Sequence, residues 1–582
     1  MSDFPEIGRL AVIGDARTTA VIGPDGAVEL LCLPRLDGQI VLGRLLDRNA
    51  GVFELRPLEA ASADLRYARN SNVTVTRWQS QTGVALVMDG LIGGPGGEAA
   101  SSTLVRQIRC LSGRMRFGHR LVPRFQDGLT PPDAVQPVER GHRVDGHGLT
   151  LAFGADHTVW EDGAFCGEHE LRAGEEAVLT FGVGAEPITA QDARLFLETT
   201  LRAWRAWAAS LHCEGRWAEA ILRSALALRL LIRDTSGAIA AAGTLGLPEH
   251  PGGQRNYDYR YCWLRDASFV VDALASVGAR ESARRFLDWL GRALHSSSPR
   301  LQPFYRLDGD RRAQERESAL SGYQDSAPVR IGNRAYRQLQ LGSAGDMLQS
   351  CALLLRHQIE LPGPLRRGIP TAVDHLVDVW QEPDHGIWEV QPPRQHTWSK
   401  MSAWIAFTRA AELREQGLIE GDARAWSEAA KQVRDRIERD HFSSAQNTYV
   451  AAAGEDGLDA AVLLGVFMGY EPSSPDRWHG TLAAIDRELS VGPYVYRTSQ
   501  LRDQEMTFLP CAFWRAHALV RLERLDEARS LLDQLIGAVG SLGLFSEEAG
   551  PDGSAWGNIP QALTHAALIN ACLTYEERAA AG

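Results

Sequence analysis

Val178-Leu179-Thr180-Phe181-Gly182-Val183 and Asp192-Ala193-Arg194-Leu195-Phe196-Leu197-Glu198-Thr199-Thr200-Leu201-Arg202-Ala203-Trp204-Arg205-Ala206-Trp207 lie on the two sides of a change in hydrophobic period near Ala190. The first is a short apolar run bounded by turn residues, which reads as a strand. The second, continued to Leu211, reads as a helix with Leu195, Leu197, Leu201, Trp204 and Trp207 on its apolar side. Toward the start of the chain the strand signals repeat at intervals of roughly ten residues. Thr19-Ala20-Val21-Ile22, the turn Pro24-Asp25-Gly26 and Val28-Glu29-Leu30-Leu31 form one such unit, and the runs 72–78, 83–88 and 149–153 continue it. Beyond Trp217 the pattern is helical, in twelve segments from 216–234 to 560–576 separated by loops rich in Gly, Pro and aromatics. Strands without intervening helices predict a β-sandwich over 1–190. A helical linker over 191–213 and twelve helices paired as an (α/α)6 barrel over 214–582 complete a multidomain β + α chain. An α-solenoid is the structural competitor, but no fixed repeat period appears.

Composition narrows the function classes. With 44% hydrophobic and 23% charged residues the chain is globular, and 61 Lys+Arg against 73 Asp+Glu leave a net charge of −12. That sign disfavours nucleic acid or an anionic membrane as partner and suits a neutral ligand. Fifteen Trp and twelve Tyr are enough to cover the apolar faces of sugar rings, although any single aromatic is as readily explained by core packing. The eight cysteines form no CxxC pair and no short metal-ligand spacing, so they read as reduced thiols, and neither a metal nor a cofactor is expected. The start, Met1-Ser2-Asp3-Phe4-Pro5-Glu6, has no secretory pattern and no segment has transmembrane length, so a cytoplasmic location is expected. A homo-oligomer is compatible with the sequence.

Three segments carry chemistry. Asn256-Tyr257-Asp258-Tyr259-Arg260-Tyr261-Cys262-Trp263-Leu264-Arg265-Asp266 puts four aromatics and four charges in eleven positions just before a helix. Arg265 beside Asp266 can hold neighbouring sugar hydroxyls while Tyr259 and Trp263 wall the ring; a helix cap with a local ion pair would read the same way. Asp384-His385-Gly386-Ile387-Trp388-Glu389 sets a carboxyl among apolar groups, which raises its pKa toward the range of a general acid; a surface Glu capping the next helix is the alternative. Gly543-Leu544-Phe545-Ser546-Glu547-Glu548 ends an apolar run in two loop carboxylates, either of which can be a solvated charge or a base. Inverting hydrolysis of a glycoside needs one carboxylic acid and one carboxylate on opposite faces of the sugar.

Together these segments resemble glycoside hydrolase family 15, the glucoamylase, glucodextranase and bacterial trehalase group. The resemblance is carried by Arg255 through Asp266, Gly386-Ile387-Trp388-Glu389, Ser399-Lys400 with Ala403-Trp404, Glu547-Glu548 and Gly557-Asn558-Ile559-Pro560-Gln561-Ala562. The run Ile13-Gly14-Asp15 through Leu33-Pro34-Arg35 is similar to the sandwich of bacterial members. The resemblance implies Glu389 as general acid, Glu547 as general base with Glu548 as fallback, and Tyr259, Trp263, Arg265, Asp266 and Trp388 on the terminal glucose. It implies an inverting, exo-acting hydrolase releasing β-glucose from a small α-glucoside, trehalose or a malto- or isomalto-oligosaccharide. Departures fall at Gly342, Ala344 and Asp346, where the family reads Asp, Tyr and Glu, at Trp398, where it reads His, and at Met506, where it reads Gly. They keep open the reading of a catalytically idle sugar-binding protein, and a glucosyl transferase on the same fold, with a sugar hydroxyl replacing water as nucleophile, is a third reading.

Overall fold

The computed structural model describes residues 4–96 and 101–581. The β-rich part is two antiparallel sheets that share one long strand, Thr103–Val122. The first half of that strand pairs with Gly83–Leu91 and Glu176–Val183, and the second half with Val52–Pro57 and Ala164–Arg172. It crosses between the sheets at Leu111–Arg114, an exposed stretch in which Gly113 takes a φ of 68°. A Cβ there would collide with the Thr82 carbonyl, so glycine is required at the crossing. Phe53, Phe117, Phe153, Phe165 and Phe181 fill the space between the sheets, which makes the expected sandwich.

Among the described residues there are thirteen α-helices. Helix α1 (Ala190–Ala209) is followed by α2 (Ala218–Leu231), α3 (Leu264–Ser276), α4 (Arg280–Ser297), α5 (Gly342–Arg356), α6 (Gly363–Val379) and α7 (Thr397–Glu415). Then come α8 (Ala423–Asp440), α9 (Leu464–Met468), α10 (Asp476–Glu488), α11 (Leu509–Arg521), α12 (Leu525–Gly537) and α13 (Ala562–Ala581). Helices α3, α5, α7, α9, α11 and α13 contact one another in sequence and close a ring, α13 returning to α3. The other six, from α2 to α12, pack outside it, giving the (α/α)6 barrel.

Burial patterns separate the two rings. In α7 every residue from Thr397 to Phe407 is buried, as an inner helix requires. In α8 only Trp426, Ala429, Ala430, Val433 and Ile437 are buried, the spacing of a single apolar face. Helix α1 buries Ala193, Leu197, Thr200, Trp204 and Ala208 against both the sheets and α2. Leu195 departs from the expected stripe and is 53% exposed, because the buried face runs at steps of three and four from Ala193 and misses it.

Two of the expected inner helices start several residues later than their periodicity suggests. The segment 458–468 divides into a 3-10 turn, Ala460–Leu463, and the short α9, with Asp459 accepting from the Ala461 backbone N–H at 2.8 Å. The segment 505–521 becomes helical only at Leu509, because Thr507-Phe508 pairs as a strand with Glu548-Ala549. Both losses lie at the N-terminal ends of inner helices. No helix among the described residues is long and apolar enough to cross a membrane, and all eight cysteines are unpaired.

Candidate active site

The segments leading into the inner helices converge on one pocket. It is lined by Tyr257, Tyr259, Trp263, Arg265 and Asp266 before and at the start of α3, and by Asn333 to Ala335 and Gln338 before α5. Ile387, Trp388 and Glu389 come from the loop before α7, Arg497 and Phe508 precede α11, and Glu547 and Gln561 precede α13. All seven residues singled out from the sequence, Tyr259, Trp263, Arg265, Asp266, Trp388, Glu389 and Glu547, therefore share this one lining.

Residues 257–261 are extended, since the carbonyls of Tyr257, Tyr259 and Tyr261 accept from the backbone of Gly246, Ala242 and Ala241. Alternation then sends neighbouring side chains to opposite sides. Tyr259 and Trp263 reach the pocket. Asp258 and Arg260 face the sandwich, where the Arg260 guanidinium is bound by Asp258 and by the carbonyls of Leu36 and Gly38. Arg260 and Asp258 are fully buried, so this ion pair fastens the barrel to the sheets from the strand that carries the pocket aromatics.

The two candidate carboxylates hang from that aromatic pair. Trp263 Nε1 donates to Glu389 Oε1 at 2.8 Å, and Tyr259 Oη donates to Glu547 Oε1 at 2.8 Å, with the two rings edge to face at 5.4 Å. Glu389 has a φ of 60°, a left-handed conformation that a non-glycine residue holds only when its surroundings impose it. Arg265 Nη1 grips the Ile387 carbonyl at 2.7 Å and the Trp388 indole donates to Asp459 at 2.8 Å, so both residues before Glu389 are pinned. Trp388 is only 6% exposed and stacked on Trp514, which makes it a wall of the pocket with its N–H already engaged. Arg265 also holds Asp266, by Nε at 2.9 Å and Nη2 at 2.8 Å. Burial raises the Glu389 carboxyl above the ordinary glutamate range, against the pull of the Trp263 hydrogen bond and the Arg265 charge.

Glu547 sits in a denser field. Gly557 passes directly over it with a φ of 73°, and a Cβ there would lie 2.7 Å from the Glu547 side chain. Behind it is Arg497, buried, with its guanidinium 3.0 Å from Glu249, 3.0 Å from Glu505 and 3.7 Å from Glu547, and in contact with Glu548. A second guanidinium, Arg255, binds Glu249 and lies 3.6 Å from Glu505. Burial and mutual repulsion push Glu505, Glu547 and Glu548 upward, Glu547 to about 8, while the two arginines hold Glu249 below its usual value. Glu548, the fallback base, accepts from Arg497 and from the Met506 N–H, so both its oxygens are occupied; Glu547 Oε2 has no partner.

The sequence offered no clustered metal ligands. The structure nevertheless brings carboxylate oxygens of Glu249, Glu505 and Glu548 within 4.8 Å of one another, and the positive charge among them is Arg497. Neither Glu249 nor Arg497 carries a local signal. Arg497 could have been sought only through the need of buried carboxylates for a counter-charge.

The departures lie beside the pocket rather than in its lining. Trp398, 1% exposed, packs along Gly342, where a Cβ would sit 3.5 Å from the indole nitrogen, so the large residue fills the room left by the small one. Asp346 is buried next to Arg265 and Asp266, with its carboxyl pushed up to about 7 by burial and with Oδ1 lacking a hydrogen-bond partner.

A pocket at one mouth of an (α/α)6 barrel, lined by the carboxyl groups of Glu389 and Glu547 and by aromatic rings, fits a glycoside hydrolase. Comparison with known proteins identifies the family. The model of glycosyl hydrolases family 15 matches residues 215–573, and that of the trehalase-like N-terminal domain matches 2–193. The chain belongs to glycosyl hydrolases family 15. It is 33% identical to a trehalase of Mycolicibacterium smegmatis, with 98% of this chain and 91% of that protein covered. It is 28% identical to a trehalase of Thermoplasma volcanium, with 99% and 94% covered. Its fold is that of a bacterial glucoamylase solved with acarbose, at a TM-score of 0.73 and 13% identity over 99% of this chain and 95% of that one.

Proposed function

We propose that this hydrolase cleaves α,α-trehalose by inversion, with Glu389 as general acid and Glu547 as general base. The observation that carries the roles is the hydrogen bonding of two pocket-lining carboxylates to one Tyr259–Trp263 pair, with burial raising the Glu389 carboxyl and Glu547 Oε2 left without a hydrogen-bond partner. Glu389 gives its proton to the glycosidic oxygen as the bond to the anomeric carbon breaks. A water attacks that carbon from the opposite face and loses its proton to Glu547. Arg265 and Asp266 hold hydroxyls of the terminal glucosyl unit whose anomeric carbon is attacked, and a pocket closed below by buried charges restricts binding to a chain end. The likeness to trehalases along the whole chain, sandwich included, supports trehalose over longer glucosides.

The anomers formed first test the stereochemistry. Inversion of trehalose yields one β-glucose and one α-glucose in equal amounts, whereas retention yields α-glucose alone, and NMR within the first turnovers separates them. Glu389→Gln and Glu547→Gln test the roles. Each is expected to lower trehalose turnover by about 10²–10⁴-fold. Only Glu389→Gln should retain hydrolysis of α-glucosyl fluoride, whose leaving group needs no proton. Equal loss on both substrates in both variants would defeat the division of roles.

A further inference from the structure

A base must be ionised to work, yet Glu547 stands in a buried group of four carboxylates, Glu249, Glu505, Glu547 and Glu548, served by two guanidiniums, Arg255 and Arg497. Four anions and two cations out of water are not stable together, so the group retains a proton. Hydrogen bonds indicate which member holds it. Glu249 accepts from Arg255 and faces Arg497 at 3.0 Å, with the Tyr259 hydroxyl at 3.4 Å. Glu548 accepts from Arg497 and the Met506 N–H. Glu547 accepts from Tyr259. Glu505 alone of the four accepts no hydrogen bond at either oxygen, although it is 2% exposed; Arg497 Nε lies 3.0 Å away but outside bonding geometry. Tyr257, which interacts with Arg255 and Glu249, and the buried Cys511 thiol also face members of this cluster, and neither supplies positive charge.

We propose that Glu505 is the neutral acid of this cluster and a positioning residue for catalysis: by holding the proton, it leaves Glu547 charged and free to accept one from water. The inference rests on Glu547 being the base.

The decisive variant is Glu505→Gln, read through the acidic limb of the kcat/KM profile, which reports ionisation of the base. A neutral Glu505 replaced by a neutral amide leaves that limb within about 0.3 pH units, whatever happens to kcat. Like charges about 6–10 Å apart at an effective dielectric of about 20 shift one another by about 1–2 pK units, so neutralising an ionised Glu505, which shares the Arg497 guanidinium with Glu547, would lower the limb by at least about one unit. Such a shift overturns the proposal. Glu249→Gln, which removes an anion, serves as the control and should lower the limb. Neutron diffraction from deuterated crystals of the unaltered protein decides the matter without a variant: deuterium on Glu505 supports it, and deuterium on Glu547 or Glu548 with none on Glu505 refutes it. Should Glu547→Gln remain active, the base assignment fails while the neutron result still stands on its own.

Discussion

Replacing Asp346 by Asn is expected to stabilise the protein near neutral pH and to change it little in acid. Asp346 is fully enclosed on α5, its Oδ1 lacks a partner, and its carboxyl is pushed from 3.8 to about 7. Because the folded-state value is the higher one, the folded chain keeps a proton that the unfolded chain releases. The resulting penalty begins above the unfolded pKa, grows as pH rises and levels off above about 7. At about 1.36 kcal/mol per unit, the parent loses about 3 kcal/mol relative to Asp346→Asn between about pH 4.5 and about pH 7.5. With an unfolding entropy of about 2.1 cal/mol/K per residue spread over the barrel, that is roughly 4 °C in thermal midpoint. Differential scanning calorimetry of parent and variant at the two pH values reads it directly. A midpoint difference that is independent of pH, or that favours the parent at the higher pH, would refute the reasoning.

Three other substitutions follow from the geometry. Gly557→Ala should lower kcat at least tenfold by pressing on the Glu547 side chain, while the left-handed backbone costs about 1 kcal/mol of stability; steady-state kinetics and thermal melts separate the two effects. Arg260→Ala leaves Asp258 buried without its counter-charge and should cost about 3–5 kcal/mol, most of it recovered when Asp258→Asn is added, as a double-mutant cycle in thermal unfolding would show. Arg334, exposed at the pocket rim, donates its backbone N–H to Glu315, while its guanidinium has no hydrogen-bonded or ionic partner among the described residues. Arg334→Ala should reduce kcat/KM for trehalose by about 10–100-fold through loss of charge-assisted bonds to the second glucose, and leave α-glucosyl fluoride, which has no second sugar, nearly unaffected.

Much of the architecture was legible because it rests on local periodicity. The change near Ala190 and the twelve helical segments beyond Trp217 are written in side-chain spacing, and each inner helix appears close to its expected place. Periodicity failed where an inner helix meets the pocket. Glu505 to Phe508 looks helical, but Thr507-Phe508 is drawn into a strand pairing with Glu548-Ala549, a contact between segments far apart in sequence that no window can see. At the site, Tyr259, Trp263, Arg265, Asp266, Trp388, Glu389 and Glu547 stood in dense motifs and could be nominated. Arg497 and Glu249 stand in unremarkable surroundings, and their importance comes only from the carboxylates that folding brings beside them.

The alternation along residues 257–263 bears on how such enzymes can be taken apart. One strand presents Tyr259 to a carboxylate on one side and Arg260 to the sandwich on the other, so the seam between the two halves lies a single residue from the pocket. A grafted sandwich from a relative would have to reproduce the Leu36 and Gly38 carbonyls that receive Arg260, or the error would propagate straight to Glu547. For the engineer, the halves of this chain are matched parts of one instrument, and a chimera should be cut elsewhere than at their boundary.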